Sequence, residues 1–159
     1  PFGMVLNDEI HSVELVYAGQ NMAVTETATS FYNERQRVGI DLTKSLEVDK
    51  NYGIDNNGEI FDVTFGLYAE TDLTAADGTV IPADGLIEII SLDENGKGTV
   101  NSYLPFGSYY VKELSTNSAY VLNEQKYPVH FEYAGQDTAV FIFPPMTAKL
   151  LRMKSFTAR

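Results

Sequence analysis

Residues 107–114 read GSYYVKEL, and this stretch decides the fold. Tyr109, Val111 and Glu113 share one parity and Ser108, Tyr110 and Lys112 the other, which is the two-residue period of a β-strand with one face turned to a core. Working outward, short runs rich in β-branched and aromatic residues recur as VTFGLYAE (63–70), GLIEIISL (85–92), GTVNSYL (98–104) and YPVHFEYAG (127–135). Between them NNG (56–58), ADG (76–78) and ENG (94–96) supply Gly and Asn where a turn needs positive φ. No stretch keeps a helical period, so the pattern predicts an all-β, antiparallel sandwich.

An internal repeat sets the organisation. Residues 5–24, VLNDEIHSVELVYAGQNMAV, and residues 121–140, VLNEQKYPVHFEYAGQDTAV, are identical at ten of twenty positions without a gap. An offset of 116 residues is too long for a solenoid unit and suits tandem whole domains. Residues 1–36 are therefore expected to be the C-terminal strands and linker of a truncated preceding repeat. Residues 37–152 are expected to form one complete repeat, and 153–159 a tail. The polar run NERQRV (33–38) reads as the hand-over between them.

With 22 acidic against 11 basic residues the chain carries a net charge of −11, which would repel phosphates. Nucleic acid and an anionic membrane surface are excluded as partners on that ground. The absence of cysteine removes disulfides, thiolate catalysis and Cys-based zinc sites. The first ten residues, PFGMVLNDEI, lack the basic and apolar blocks of a signal peptide. His11 and His130 are not equivalent in the repeat and have no second ligand at metal spacing. GIDNNGE (53–59) and DENGKG (93–98) read as turns, because neither has the alternating oxygen spacing of a calcium loop. LPFGS (104–108) reads as a turn leading into a strand. No phosphate-cradling loop, dinucleotide fingerprint or nucleophile elbow occurs, so neither a cofactor nor a catalytic cycle is expected.

Two charges fall on apolar faces. In VGIDLTKSLEVD (38–49), Lys44 shares the parity of Val38, Ile40, Leu42, Leu46 and Val48, and Glu113 shares that of Tyr109 and Val111. A lone buried charge is costly and is met by pairing or neutralisation, so the two are expected to face each other. From parity alone the arrangement is either a buried ion pair, a lysine that snorkels to a sheet edge, or chemistry.

VGIDLTKSLEVD, DVTFGLYAE, SLDENGKGTVNSYLPFGSYYVKEL and AYVLNEQKYPVHFEYAG together resemble the SpaA-type or Cna B-type domain of Gram-positive surface adhesins and pilins, a prealbumin-like, immunoglobulin-like sandwich. The resemblance covers nearly all of 38–140, and its most specific block is LPFGSYYVKE. It implies a stalk or adhesion module of an extracellular, cell-wall-anchored protein, whose export and anchor segments lie outside this stretch, with neighbouring repeats as partners. It also implies a self-formed isopeptide bond, in which Lys44 is the nucleophile and Glu113 the proton shuttle. Such an amine must be uncharged to attack an amide. The bond would be one self-modification without turnover.

The acceptor departs from the family pattern. TSFYNERQRV offers Asn33 where the family places its acceptor, but the ungapped equivalent in the full repeat is Lys149, or Ala148 with a slip of one, and no Asn or Asp follows Asp137. Three outcomes are open: an uncrosslinked Lys44–Glu113 pair, donation of the strand around Asn33 to another chain as in a swapped homodimer, or closure onto Lys44 of the same chain. The last is least favoured, since first and last strands in the family run parallel and need a longer crossover than the ten residues available. The rival function class is a binding module that holds a glycan or host protein through loops and its ten tyrosines. A transthyretin-like accessory domain would share the fold but give no reason for the Lys44–Glu113 pair.

Overall fold

The computed structural model describes residues 3–23, 26–48, 51, 53, 57–142 and 146–149. The tail at 153–159 lies outside the described residues. Strand β8 (Gly107–Ser115), the stretch that opens the sequence argument, is the spine of a four-stranded antiparallel sheet. It pairs on one side with β3 (Thr64–Ala69) and on the other with β9 (Tyr127–Phe131), and β6 (Leu86–Ser91) completes the order β6-β3-β8-β9. Opposite it β2 (Asp41–Ser45) lies between β7 (Lys97–Thr99) and β11 (Met146–Lys149). Two smaller ladders, β1 (Arg37–Gly39) with β10 (Val140–Ile142) and β4 (Leu73–Thr74) with β5 (Val80–Ile81), finish the all-β architecture.

The core forms between the inward faces. Ile40 and Leu42 meet Phe65, Leu67, Ile90, Tyr109, Val111, Val129 and Phe131, all of them buried. Burial of side chains of this size contributes about 1.5–3 kcal/mol each, which is what a chain without disulfides has to draw on. The alternation at Tyr109, Val111 and Glu113 holds as expected. Tyr110, on the other parity, is buried as well: its ring stacks on Tyr68 at 5.0 Å, its hydroxyl donates to Asp84 Oδ1 at 2.6 Å, and Lys126 Nζ sits 4.0 Å over it. Parity cannot foresee a second face covered by long side chains.

The turns follow the glycines. Gly58, Gly78 and Gly96 all take positive φ (83°, 85° and 71°), as expected from NNG, ADG and ENG. After Gly58 the chain makes a single 3₁₀ turn, Glu59–Asp62. GTVNSYL keeps strand structure only at its start, where β7 ends at Thr99. There Glu88 intercepts the next amides, accepting from Asn101 N–H at 3.0 Å and Ser102 N–H at 2.9 Å.

The run 33–38 is not wholly linker, because Arg37–Gly39 is already strand β1 and Gln36 and Val38 are buried. The Gln36 side chain clasps the β9–β10 connection: Nε2 donates to Gly135 O (3.0 Å) and Thr138 O (2.5 Å), and Oε1 accepts from Ala134 N–H (2.9 Å). Upstream, the described residues of 3–36 form no ladder beyond one isolated bridge, Met4 with Arg35. Strand patterning there meets no neighbouring strand to bond, and a strand without a partner has nothing to hold it.

Candidate functional site

Lys44 reaches the interior because β2 alternates, with Asp41 and Ser45 outside and Leu42 and Lys44 inside. Glu113 reaches it from β8, in the register where β8 lies against Phe65 of β3. Lys44 Nζ and Glu113 Oε2 are 3.2 Å apart, and both side chains are fully shielded from solvent. The expected meeting of the two charges is therefore present, as a buried pair and not as a lysine snorkelling to an edge.

The surroundings are dry and sparsely polar. The ammonium sits 5.7 Å from the centroid of the Phe65 ring. Burial pulls the Lys44 amine below its ordinary value of 10.5, against the attraction and hydrogen bond of Glu113, which work to raise it. Glu113 Oε2 also accepts the backbone N–H of Asn123 at 3.0 Å, while Oε1 has no hydrogen-bond partner among the described residues. One oxygen thus holds both bonds, and the other is buried with none.

Two supporting residues lie outside the sequence expectations for this site. Asn123 presents its N–H because its Oδ1 caps Gln125 N–H at 3.0 Å and its amide donates to Tyr127 OH at 3.1 Å, so the segment between β8 and β9 turns back over Glu113. Its occurrence in both repeat copies is the one hint the sequence offers. Gly96 accepts Lys44 N–H on its carbonyl at 2.8 Å, and a Cβ there would meet Lys44 O at 2.1 Å. The ENG turn announces the positive φ of Gly96 but not this contact with β2.

The acceptor position is set by β11, which runs parallel to β2 in the register Met146↔Leu42, Thr147↔Thr43, Ala148↔Lys44 and Lys149↔Ser45. The residue across from the lysine is Ala148, which has no carbonyl side chain to attack. Asn33 lies in an exposed, irregular stretch and makes no hydrogen bond among the described residues, so it is not brought to Lys44. The sequence between β10 and β11 holds Pro144 and Pro145, which have no N–H to give a ladder. His130 lies in β9, exposed and bonded to Ser108, and His11 contacts Thr29 and Phe31.

The profile of the SpaA prealbumin-like fold domain matches residues 44–142. Among solved structures, the minor pilin GBS52 of Streptococcus agalactiae is 21% identical with a TM-score of 0.46, over 76% of this chain and 47% of its own. The major pilin SpaA of Corynebacterium diphtheriae is 19% identical with a TM-score of 0.46, over 74% of this chain and 31% of its own. BcpA, the major pilin subunit of Bacillus cereus, is 21% identical with a TM-score of 0.40, over 72% and 29%. The chain thus spans less than half the length of each. A search of curated proteins gives no match. A profile that begins at Lys44, runs through the whole four-stranded sheet and covers more than half of the residues leaves no other assignment: the chain belongs to the family of SpaA prealbumin-like fold domains.

Proposed function

We propose that the chain is a structural stalk or adhesion module of an extracellular, cell-wall-anchored, pilin-like protein, whose isopeptide-type pair stands without an acceptor in its own repeat. Residues 37–152 are that repeat, and residues 1–36 are the tail of a preceding one. The observation that carries the reading is the fully buried Lys44–Glu113 pair at 3.2 Å with Ala148 across from the lysine. Desolvation favours the neutral amine, and the unbonded oxygen of Glu113 is free to move a proton. What is missing is the electrophile. In this repeat the pair acts as a buried polar contact, and Asn33 is the acceptor kept for the lysine of the repeat to which residues 1–36 belong. No step turns over, so the module is not an enzyme.

Intact mass spectrometry of the chain and of Ala148→Asn tests this. The unaltered chain should show its full calculated mass. In Ala148→Asn the Lys44 amine attacks the new side-chain amide carbon, a C–N bond forms, the amide nitrogen leaves as ammonia, and Glu113 carries the proton to it. The mass should fall by one ammonia, and Glu113→Ala in that background should restore it. A mass deficit in the unaltered chain, or none in Ala148→Asn, overturns the reading.

A further inference from the structure

The turn LPF (104–106) leads into β8, and its side chains also floor a pocket. The Tyr109 hydroxyl donates to Pro105 O and pins the turn, and the Phe106 ring leans on that of Phe131 at 4.6 Å and 42°. With Leu104 these rings line a cavity of about 370 Å³, a volume suited to a ligand of one or two residues. Apart from Gly3, the lining falls within residues 35–131, so the cavity belongs to the repeat and its hand-over segment.

Two cations stand at its rim. Arg35 and Arg37 flank the buried Gln36 in extended chain, so both side chains project to the face opposite Gln36. The Arg37 guanidinium lies 5.8 Å from the centroid of the Tyr103 ring, itself 75% exposed. Among the described residues neither guanidinium has an ion-pair or hydrogen-bond partner, although the chain carries 22 acids against 11 bases. The rim therefore offers positive charge directly above an apolar floor.

We propose that this pocket binds a peptide segment in which a carboxylate stands beside an aromatic side chain. The ring packs on Leu104, Phe106 and Phe131, and the carboxylate is held by Arg35 and Arg37. An acidic sugar would satisfy the arginines but set its hydroxyls against floor side chains that neither donate nor accept, since the Gln36 amide is spent on Gly135, Thr138 and Ala134. A phosphate would bring a second negative charge into the field of a chain at −11 and would leave the floor unfilled. Arginine and tyrosine around a central apolar pocket is also the composition that carries most of the energy in protein recognition. The proposal names one pocket and one ligand chemistry, and it does not depend on the Lys44–Glu113 pair.

Titrations of the whole chain followed by amide NMR test this with small probes. N-acetylphenylalanine should shift the amides of Arg37, Tyr103, Leu104 and Phe106 and saturate with a Kd of about 1 mM. Its amide, which keeps the ring and loses the charge, should bind at least about tenfold more weakly, and so should acetate, which keeps the charge and loses the ring. N-acetylaspartylphenylalanine amide carries the carboxylate on a side chain: tighter binding than N-acetylphenylalanine assigns the pocket to an internal acidic residue, and weaker binding to a chain terminus. The double variant Arg35→Gln/Arg37→Gln should reduce the acid to the affinity of the amide and leave amide positions in β3 and β9 unshifted, which separates a lost site from a lost fold. Equal binding of acid and amide overturns the proposal, as does the absence of any shift at these four amides. Glucuronic acid or inorganic phosphate binding as tightly as N-acetylphenylalanine also overturns it. So do concentration-dependent shifts of the same amides without a probe, because the occupant is then a second copy. None of these results alters the mass expected at Lys44, so the pocket and the module reading fall separately.

Discussion

Replacing Lys44 by Met keeps the length and apolar stem of the side chain and removes only its charge. The partner Glu113 is then left in a fully shielded site with one remaining donor, the N–H of Asn123. Breaking a buried pair by removing one member costs about 3–5 kcal/mol, because the uncompensated charge stays behind. Glu113→Gln, which strands the ammonium but keeps an oxygen for Asn123, should cost a comparable amount. The double variant Lys44→Met/Glu113→Gln retains no charge. Its residual penalty is that of one unbonded amide group, about 1–3 kcal/mol. The two single losses therefore should not add, and the cycle should return a coupling of at least about 3 kcal/mol. Urea unfolding followed by far-UV circular dichroism reads this directly, in a chain that has no tryptophan to report by fluorescence. A Lys44→Met loss below about 1 kcal/mol, the range of exposed ion pairs, would refute the placement of both groups in the dry interior.

The contributions of Lys44 and Tyr109 to stability should together peak near pH 10. The unfolded lysine keeps its proton up to 10.5 while the folded one gives it up earlier, so the unfolded state binds more protons across that window and stability rises with pH there. Burial pushes the Tyr109 hydroxyl up to about 12 from 10.0, so its contribution is whole below pH 10 and lost between 10 and 12; Lys44→Met should erase the rise and keep the fall, as read by urea midpoints at stepped pH. Gln36→Ala removes all three bonds of the clasp on 134–138 and should cost about 2 kcal/mol, with early loss of exchange protection at the Ala134 amide. Under force, Ala148→Asn should shorten the unfolding step by the roughly 100 residues between Lys44 and position 148, about 350 Å of extended chain, and an unchanged step would show that no bond had formed.

The sandwich was legible because β8 carries a two-residue period, because β3, β6 and β9 are short runs rich in β-branched and aromatic residues, and because Gly58, Gly78 and Gly96 mark turns between strands. The Lys44–Glu113 contact was legible for the same reason. Two strands of known parity with a charge on each apolar face leave those charges few places to go but toward each other. Sequence period could not reveal what crosses between strands. The burial of Tyr110 depends on Tyr68, Lys126 and Asp84 from three other segments, and the closeness of Gly96 to Lys44 O depends on how β7 lies against β2. The acceptor question lay between these cases. Alignment of the repeat leaves Lys149 and Ala148 as alternatives, and only the β2–β11 register selects Ala148.

In the proposed stalk role, that register also bears on how the module would carry load. The first strands β1 and β2 lie beside the last strands β10 and β11, and both pairs are parallel. Tension along the chain pulls parallel neighbours past each other, so the bonds of the ladder are loaded together and not peeled one by one. A covalent link between position 148 and Lys44 would carry the force across this pair of strands, and the sheets enclosed between them would never feel it. With Ala148 in place the force passes instead through a ladder of four register pairs and then into the core, where the Lys44–Glu113 contact is the first polar tie beneath β2. An ion pair in a dry interior is broken at large cost when one partner leaves, yet it reforms when the partner returns. In the proposed stalk role, a repeat tied in this way would yield and recover, and the covalent alternative would be one side chain away.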